Sequence, residues 1–159
     1  MKTKMEKISK HISYTEATRS TTAKRLGIDN EPTEFDLSRM KLLAENIFEP
    51  LRKHVGGPIR INSFFRSQKL NEAIGGSKVS QHCIGSAFDI DDAYGCMSNA
   101  DMFKYIKDNL DFDQMIWEFG DNKNPDWVHV SYVSKEENRG ICLKAYKDKG
   151  RTAYTIYNG

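Results

Sequence analysis

The chain has 159 residues, which is enough for one domain with a hydrophobic core, and nothing in it suggests a second domain. A net charge of only +2, without a repeated Lys/Arg cluster, argues against nucleic acid as a partner. No stretch approaches the roughly 20 apolar residues that span a bilayer, so we expect no membrane insertion. Three cysteines without a C-x-x-C pair indicate reduced thiols rather than a disulfide framework.

The N-terminus is charged and is not followed by an apolar core, which predicts that the chain has no secretory signal peptide. We therefore expect the protein to be cytoplasmic as synthesised. We interpret 1–159 as a single domain with a short leader at 1–12. Residues 141–157 alternate around a turn at 148–150, which predicts a C-terminal β-hairpin.

Helical signals dominate the first third of the chain. Ser13 and Glu16 have the spacing of a capping box, which predicts a short helix from residue 14 toward 26, ended by Gly27. A second capping box at 33–36 precedes apolar residues at steps of three and four. That pattern predicts a long amphipathic helix that ends at the Gly-Gly-Pro sequence of 56–58.

Strand signals appear in the second part of the chain, mixed with shorter helices. We predict strands at 59–65, 86–91, 114–119 and 127–133, helices at 67–73 and 99–110, and a loop at 77–85. Helices first, followed by strands mixed with helices, indicate an α+β fold with a small, mainly antiparallel sheet.

The chemistry-bearing residues lie in two motifs, S-x-H-x-x-G-x-A-x-D-I at 80–90 and W-V-H-V-S at 127–131. Because side chains alternate along a strand, Asp89 and His129 can project from neighbouring strands onto one surface. His82 would reach the same surface from the loop, with Gly85 allowing a tight return of the backbone. Two imidazoles and one carboxylate suit a catalytic Zn²⁺ that keeps one position open for water.

Spacing alone leaves alternatives open. The two histidines can be ordinary surface or hydrogen-bonded core residues, and Asp89 can simply cap a turn. The same ligand set also holds ferrous iron in oxygenases. Those sites more often space the first pair as H-x-D, so the H-x6-D spacing of this chain counts against iron.

The two motifs resemble the zinc D-alanyl-D-alanine carboxypeptidase family. That family includes vancomycin-resistance carboxypeptidases, several phage endolysins and, by fold, the Hedgehog signalling domain. The resemblance covers roughly 8–139 and extends to segments at 8–12, 22–30, 58–63, 65–67, 70–77 and 112–114. The leader segments are similar to those of a phage-associated branch. The resemblance implies a Hedgehog-like peptidase fold, with helices on one side of the sheet and His82, Asp89 and His129 as Zn²⁺ ligands.

Further roles follow from the same resemblance. Asp126 matches the position of the general base, which takes a proton from water and passes it to the leaving amine. Apart from the resemblance, Glu118 shares a face of its predicted strand with Gln114 and Ile116, and it is a second candidate base or an acceptor for a ligand histidine. Arg66 matches an active-site arginine that polarises the scissile carbonyl or grips a peptide carboxylate.

The residues beside the first histidine also acquire a role. Ser80 and Gln81 directly precede His82, and they are expected to bind substrate or to orient the loop. Some relatives carry a histidine two residues before the base, where this chain has Asn124. The amide of Asn124 would have to replace that histidine, which puts electrophilic assistance in doubt.

The expected function is a zinc metallopeptidase that cuts D-amino-acid-containing bonds in the stem peptides or cross-links of peptidoglycan, as a carboxypeptidase or an endopeptidase. The leader favours a phage or prophage lysis protein, or a wall-remodelling enzyme. It would act as a monomer at the cell wall after release from the cytoplasm. The alternative is a zinc-containing wall- or protein-binding module of the same fold with little catalysis.

Overall fold

A computed structural model describes residues 6–159 of the chain. The first five residues of the leader expected at 1–12, and with them most of the charged N-terminus that argued against a signal peptide, lie outside this range. The α-helices are α1 Tyr14–Thr18, α2 Thr21–Leu26, α3 Glu34–Leu43, α4 Glu49–Val55, α5 Gln68–Ala73 and α6 Asn99–Asn109. A π-helical turn spans Ala44–Phe48, and a 3₁₀ turn spans Gln81–Ile84.

Eight strands form two sheets. The strands are β1 Lys7–Ser9, β2 Ile12–Ser13, β3 Arg60–Ser63, β4 Ala87–Asp91, β5 Gln114–Glu118, β6 Trp127–Ser131, β7 Ile141–Asp148 and β8 Arg151–Ile156. β1 and β2 pair with each other, and the other six form a sheet in the order β3-β4-β6-β5-β7-β8. All neighbours in this sheet are antiparallel except β5 and β7. The predicted α+β class with a small, mainly antiparallel sheet is confirmed.

The helical region differs from the sequence prediction in two places. The predicted helix at 14–26 is two short helices, each with its own serine cap, because Arg19 adopts an extended conformation after α1. The predicted long helix contains the π-helical turn, in which the N–H of Glu49 bonds the carbonyl of Ala44. Pro50 follows directly and has no N–H to continue the regular ladder, which accounts for the local change in hydrogen bonding.

The core lies between the helices and one face of the six-stranded sheet. Because strand residues alternate, Phe88 and Val130 point to this face, while Asp89 and His129 point to the other. The Phe88 ring meets the edge of Phe48, at a centroid distance of 5.9 Å, and of Phe64, at 5.2 Å. The helix-covered face therefore stabilises the sheet and leaves the opposite face of β4 and β6 available for chemistry.

No helix within residues 6–159 has the length and apolar character required to cross a membrane.

Gly85 ends the 3₁₀ turn with a φ of 76°, in the left-handed region that favours glycine. A Cβ atom at this position would lie 2.5 Å from Cγ of Met40 and 2.7 Å from the main-chain oxygen of Asp36. The close approach to α3 therefore requires glycine, and it fixes the turn that carries His82.

We predict that Gly85→Ala lowers the free energy of unfolding by on the order of 2–4 kcal/mol, because backbone strain adds to a clash with main-chain atoms. Gly56→Ala is the matched control, because Gly56 has a φ of 73° and open space around it. The control should cost only about 1–2 kcal/mol. Urea unfolding of both variants checks the difference, and equal losses would contradict the packing argument.

Candidate metal centre

Asp89 and His129 lie opposite each other on adjacent antiparallel strands. Asp89 is the middle residue of β4, His129 is the middle residue of β6, and the two are direct partners in the ladder. His129 Nδ1 lies 2.9 Å from Asp89 Oδ1. Pairing in the middle of two hydrogen-bonded strands gives both side chains a rigid support, as a preorganised site requires.

His82 reaches the same place from the 3₁₀ turn that precedes β4. The Oγ of Ser80 accepts a hydrogen bond from the N–H of His82 at 3.3 Å, which caps the turn. The carbonyl of His82 accepts a hydrogen bond from the N–H of Arg66 at 3.2 Å, which ties the turn to the end of β3. His82 is only 1% exposed, so its position is set by packing on all sides.

The ligand-type atoms of the three residues form one compact group. One nitrogen from each of His82 and His129 and one oxygen of Asp89 all lie within 4.8 Å of one another. His82 Nε2 lies 3.4 Å from Asp89 Oδ1. A single ion could therefore contact all three residues, and the structure brings together the ligand set that the sequence predicted.

The hydrogen bonds of His82 indicate which nitrogen is free. Nδ1 lies 2.7 Å from the carbonyl oxygen of Phe64, a bond in which only the imidazole can donate. A neutral His82 therefore carries its proton on Nδ1 and directs the lone pair of Nε2 toward the Asp89 carboxylate. Nε2 is buried and has no hydrogen-bond partner among the described residues. With His82 neutral, a cation between this lone pair and the carboxylate relieves their repulsion, so the donor set fits Zn²⁺.

The electrostatics of the centre support the same view. Burial alone would raise the pKa of Asp89, yet His82 and His129 hold it well below its usual range. Burial lowers the pKa of His82, against the opposing effect of Asp89. A neutral His82 and an ionised Asp89 are the states in which these two side chains bind a metal.

Glu118 is a buried carboxyl on the same face of the sheet as His129. It pairs with Trp127 across the β5–β6 ladder, while His129 pairs with Ile116. Such diagonal neighbours are about 7–8 Å apart. Glu118 is 9% exposed, and burial, assisted by the charge of Asp89, raises its pKa to about 7 against the opposing effects of His129 and Lys147.

Arg66 follows β3 and lies on the other side of the cluster. Its Nη1 donates to the Oδ1 of Asn71 at 3.3 Å, and its buried Nε has no partner among the described residues. Burial lowers the pKa of Arg66, whereas Asp89 raises it. A guanidinium remains charged under these conditions, so the rim next to Asp89 carries a positive charge.

Gln81 is held by a network that the sequence analysis missed. Its Nε2 donates to the buried Asp113 at 3.0 Å, and Arg139 donates to both carboxylate oxygens of Asp113, at 2.9 and 2.7 Å. This network anchors the residue before His82 to the strand that begins at Gln114. No sequence signal linked Arg139 to this site, because the contact joins segments far apart in the chain.

Asp126 and Asn124 lie just before β6, outside the cluster. Asp126 is exposed, its N–H donates to the carbonyl of Glu118 at 2.9 Å, and its carbonyl accepts from Asn99 at 3.1 Å. These bonds fix its main chain and leave the carboxylate without a partner among the described residues. The Oδ1 of Asn124 accepts a hydrogen bond from the N–H of Ala100 at 2.8 Å, so this oxygen caps an N–H group in the first turn of α6.

An α+β fold that holds a His/Asp/His cluster on the sheet face opposite the helices has the ligand set of a mononuclear catalytic metal site. Comparison with known families gives the more specific assignment. The family model described as Peptidase M15 matches residues 10–131, which include the whole cluster together with Ser80 and Gln81. The chain belongs to the Peptidase M15 family, the zinc D-Ala-D-Ala carboxypeptidase type, and is a metallopeptidase. No curated protein sequence matches the chain.

The raised pKa of Glu118 predicts a pH-dependent loss of stability in the metal-free protein. The folded-state pKa of about 7 lies above the ordinary value of 4.5, so the folded chain binds this proton more tightly than the unfolded chain. The contribution of protonated Glu118 to the free energy of unfolding is fully present below pH 4.5 and is lost as the pH rises through about 7. Because glutamine does not titrate, Glu118→Gln should be more stable than wild type at pH 8, by on the order of 2–3 kcal/mol.

Urea unfolding of the EDTA-treated proteins at pH 4 and pH 8 measures this effect. The exposed Glu136, substituted as Glu136→Gln, is the matched control and should follow wild type at both values. A stability difference between Glu118→Gln and wild type that does not change with pH would contradict the assignment.

Proposed function

We propose that the protein is a zinc peptidase that hydrolyses D-amino-acid-containing peptide bonds in peptidoglycan stem peptides or cross-links. The observation that carries the proposal is the convergence of His82, Asp89 and His129 in a member of the Peptidase M15 family. In this proposal the three residues hold Zn²⁺. Bound there, the ion would supply Lewis acidity, which would polarise a peptide carbonyl and lower the pKa of water so that it loses a proton near neutral pH and becomes a nucleophile.

Asp126 is the proposed general base. It precedes His129 by three residues, stands at the exposed start of β6 and has no competing partner among the described residues. Its main chain is fixed from both sides, by Glu118 and by Asn99, directly before the strand that carries His129. It takes a proton from the attacking water and returns it to the leaving amine nitrogen.

Glu118 is the second candidate for the base, and its surroundings suit a different role. It is 9% exposed, so a peptide substrate reaches it far less readily than it reaches Asp126. Its position on the same face as His129 suits a carboxyl that orients that imidazole and balances the charge of a bound cation. We therefore assign Glu118 to positioning and Asp126 to proton transfer.

Arg66 stabilises negative charge on the substrate. Its guanidinium lies close enough to Asp89 to be influenced by that carboxylate, and its Nε lacks a hydrogen-bond partner among the described residues. A donor of this kind can serve a carbonyl oxygen that becomes negative during attack. Ser80 and Gln81 contribute by holding the turn of His82 through their hydrogen bonds.

The biological setting belongs to the same proposal. The leader segments at 8–12 and 22–30, which resemble a phage-associated branch of the family, support a phage or prophage lysis protein. Such a protein is made in the cytoplasm, acts on the wall after release and works as a monomer. Both trimming of peptide ends and opening of cross-links are compatible with the proposal.

Matched amide substitutions test the assignment of the base. We expect Asp126→Asn to lower kcat by about 10²- to 10⁴-fold, because only proton transfer is lost. Glu118→Gln should lose only about tenfold, at the low end of the roughly 10- to 100-fold loss that follows removal of a group that orients a metal ligand. Asp111→Asn, at an exposed aspartate, should match wild type. The measurement is liquid chromatography and mass spectrometry of peptides released from purified peptidoglycan by zinc-loaded proteins of equal metal content.

Each other outcome has a defined meaning. Normal cleavage by Asp126→Asn, combined with loss of cleavage by Glu118→Gln, would mean that Glu118 and not Asp126 is the general base. Absence of released peptides from zinc-loaded wild type would refute the peptidase and favour the binding module that the sequence left as the alternative.

A further inference from the structure

The sheet face that carries the candidate metal centre continues past β6 onto the C-terminal hairpin. His129 on β6 pairs with Ile116 on β5, and Ile116 pairs with Leu143 on β7. Leu143 in turn pairs with Ile156 on β8. Because the side chains of directly paired residues lie on the same face, these four residues form one row across the sheet. Adjacent strands are about 4.8 Å apart, so the row extends about 14 Å from β6 to β8.

Tyr154 lies on the same face, in the neighbouring row. It pairs with Ala145 on β7, and Ala145 pairs with Glu118 on β5. Ala145 carries only a methyl group, so the phenol can lean across it toward Glu118. Burial raises the pKa of the Tyr154 phenol, and the charges of Glu118 and Asp89 raise it further. The phenol is therefore within electrostatic range of these two carboxylates.

The apolar side chains on this part of the face are open to solvent. Tyr154 is 55% exposed, Ile156 is 62% exposed, and Leu143 is half-buried. We call these three residues the hairpin strip. An exposed apolar surface that continues a functional site is typical of a binding surface. β7 and β8 lie beyond residues 10–131, which the family model matches, so that match assigns the hairpin strip no role.

We propose that the hairpin strip binds the part of the peptide substrate that extends from the cut bond toward β8, with the ring of Tyr154 packing against it. This inference rests on the proposed peptidase function and deepens it, because it makes the length of the peptide on one side of the bond a determinant of affinity.

The continuity of the hairpin strip with the row of His129 identifies the occupant. A peptide that is held at the metal centre and extended along this row passes over the strip. An extended chain advances about 3.3 Å per residue, so it meets the leaning phenol about three residues from the bond. The strip is apolar and therefore suits aliphatic side chains and methylene groups of the peptide rather than its charged groups.

Two tyrosines on neighbouring rungs of the same hairpin provide a matched test. Tyr154→Ala removes a ring from the face of the metal centre. Tyr146→Ala is the control, because Tyr146 is 43% exposed, pairs with Ala153 and lies on the opposite face. The measurement is fluorescence anisotropy of a labelled synthetic stem pentapeptide with zinc-loaded protein in which Asp126→Asn suppresses cleavage.

We expect Tyr154→Ala to weaken binding of the pentapeptide about 5- to 10-fold, as truncation of a tyrosine that contacts a ligand does. Tyr146→Ala should leave the affinity unchanged. Tyr154→Phe keeps the ring and should stay within about twofold of the unsubstituted protein. Ile156→Ala is a second, independent variant of the hairpin strip and should weaken binding in the same direction.

Peptide length distinguishes contact with substrate from a structural effect of the substitution. The further probes are derivatives of the pentapeptide shortened by one to three residues from either end. The loss caused by Tyr154→Ala should disappear as residues are removed from one end and persist as they are removed from the other. With Asp126 intact, Tyr154→Ala should raise KM by the same factor and leave kcat nearly unchanged.

The outcomes separate the hairpin strip from the peptidase. If Tyr154→Ala and Ile156→Ala leave affinity and KM unchanged while wild type releases peptides from peptidoglycan, the strip does not bind substrate and the proposed function stands. If Tyr154→Ala weakens every peptide equally, whatever its length, contact with an extended substrate is refuted. If wild type releases no peptides, the proposed function fails, and the anisotropy series alone decides whether the strip binds peptide.

Discussion

The candidate metal centre depends on the placement of an imidazole lone pair of His82 opposite the carboxylate of Asp89. His82 donates through Nδ1 to the carbonyl of Phe64 and thereby directs Nε2 toward Asp89, 3.4 Å away. Two electron-rich groups in a buried setting repel each other unless a cation lies between them. Nδ1 of His129 lies next to the same carboxylate oxygen and adds a third atom that can bind a metal. The donor set is therefore arranged for a metal ion before any ion arrives.

The rest of the fold holds this arrangement in place. One face of the six-stranded sheet is buried under helices through aromatic contacts such as that between Phe88 of β4 and Phe48. The other face carries Asp89 and His129 at directly paired positions. The contact of Gly85 with α3 fixes the short turn that carries His82. Stability and chemistry are thus divided between the two faces of one sheet.

Much of this could be predicted from the sequence because it follows from local patterns. The alternation around Asp89 and His129 gave their common face, and the capping box at Thr33 and Asp36 gave the start of α3. Contacts between distant segments were not predictable in the same way. The bonds of Arg139 and Gln81 to Asp113 join residues whose proximity depends on the tertiary fold. The π-helical turn before Pro50 was missed because apolar spacing does not reveal a change in hydrogen-bond register.

The central claim is that His82, Asp89 and His129 bind one zinc ion together. The most direct measurement is the zinc content of the purified protein after dialysis against buffered zinc, determined by mass spectrometry of the metal. We predict one zinc per chain for wild type, close to none for Asp89→Ala, and one for Asp111→Ala, which removes an exposed carboxylate elsewhere. Equal zinc content in wild type and Asp89→Ala, or no zinc in a folded wild-type protein, would contradict the account.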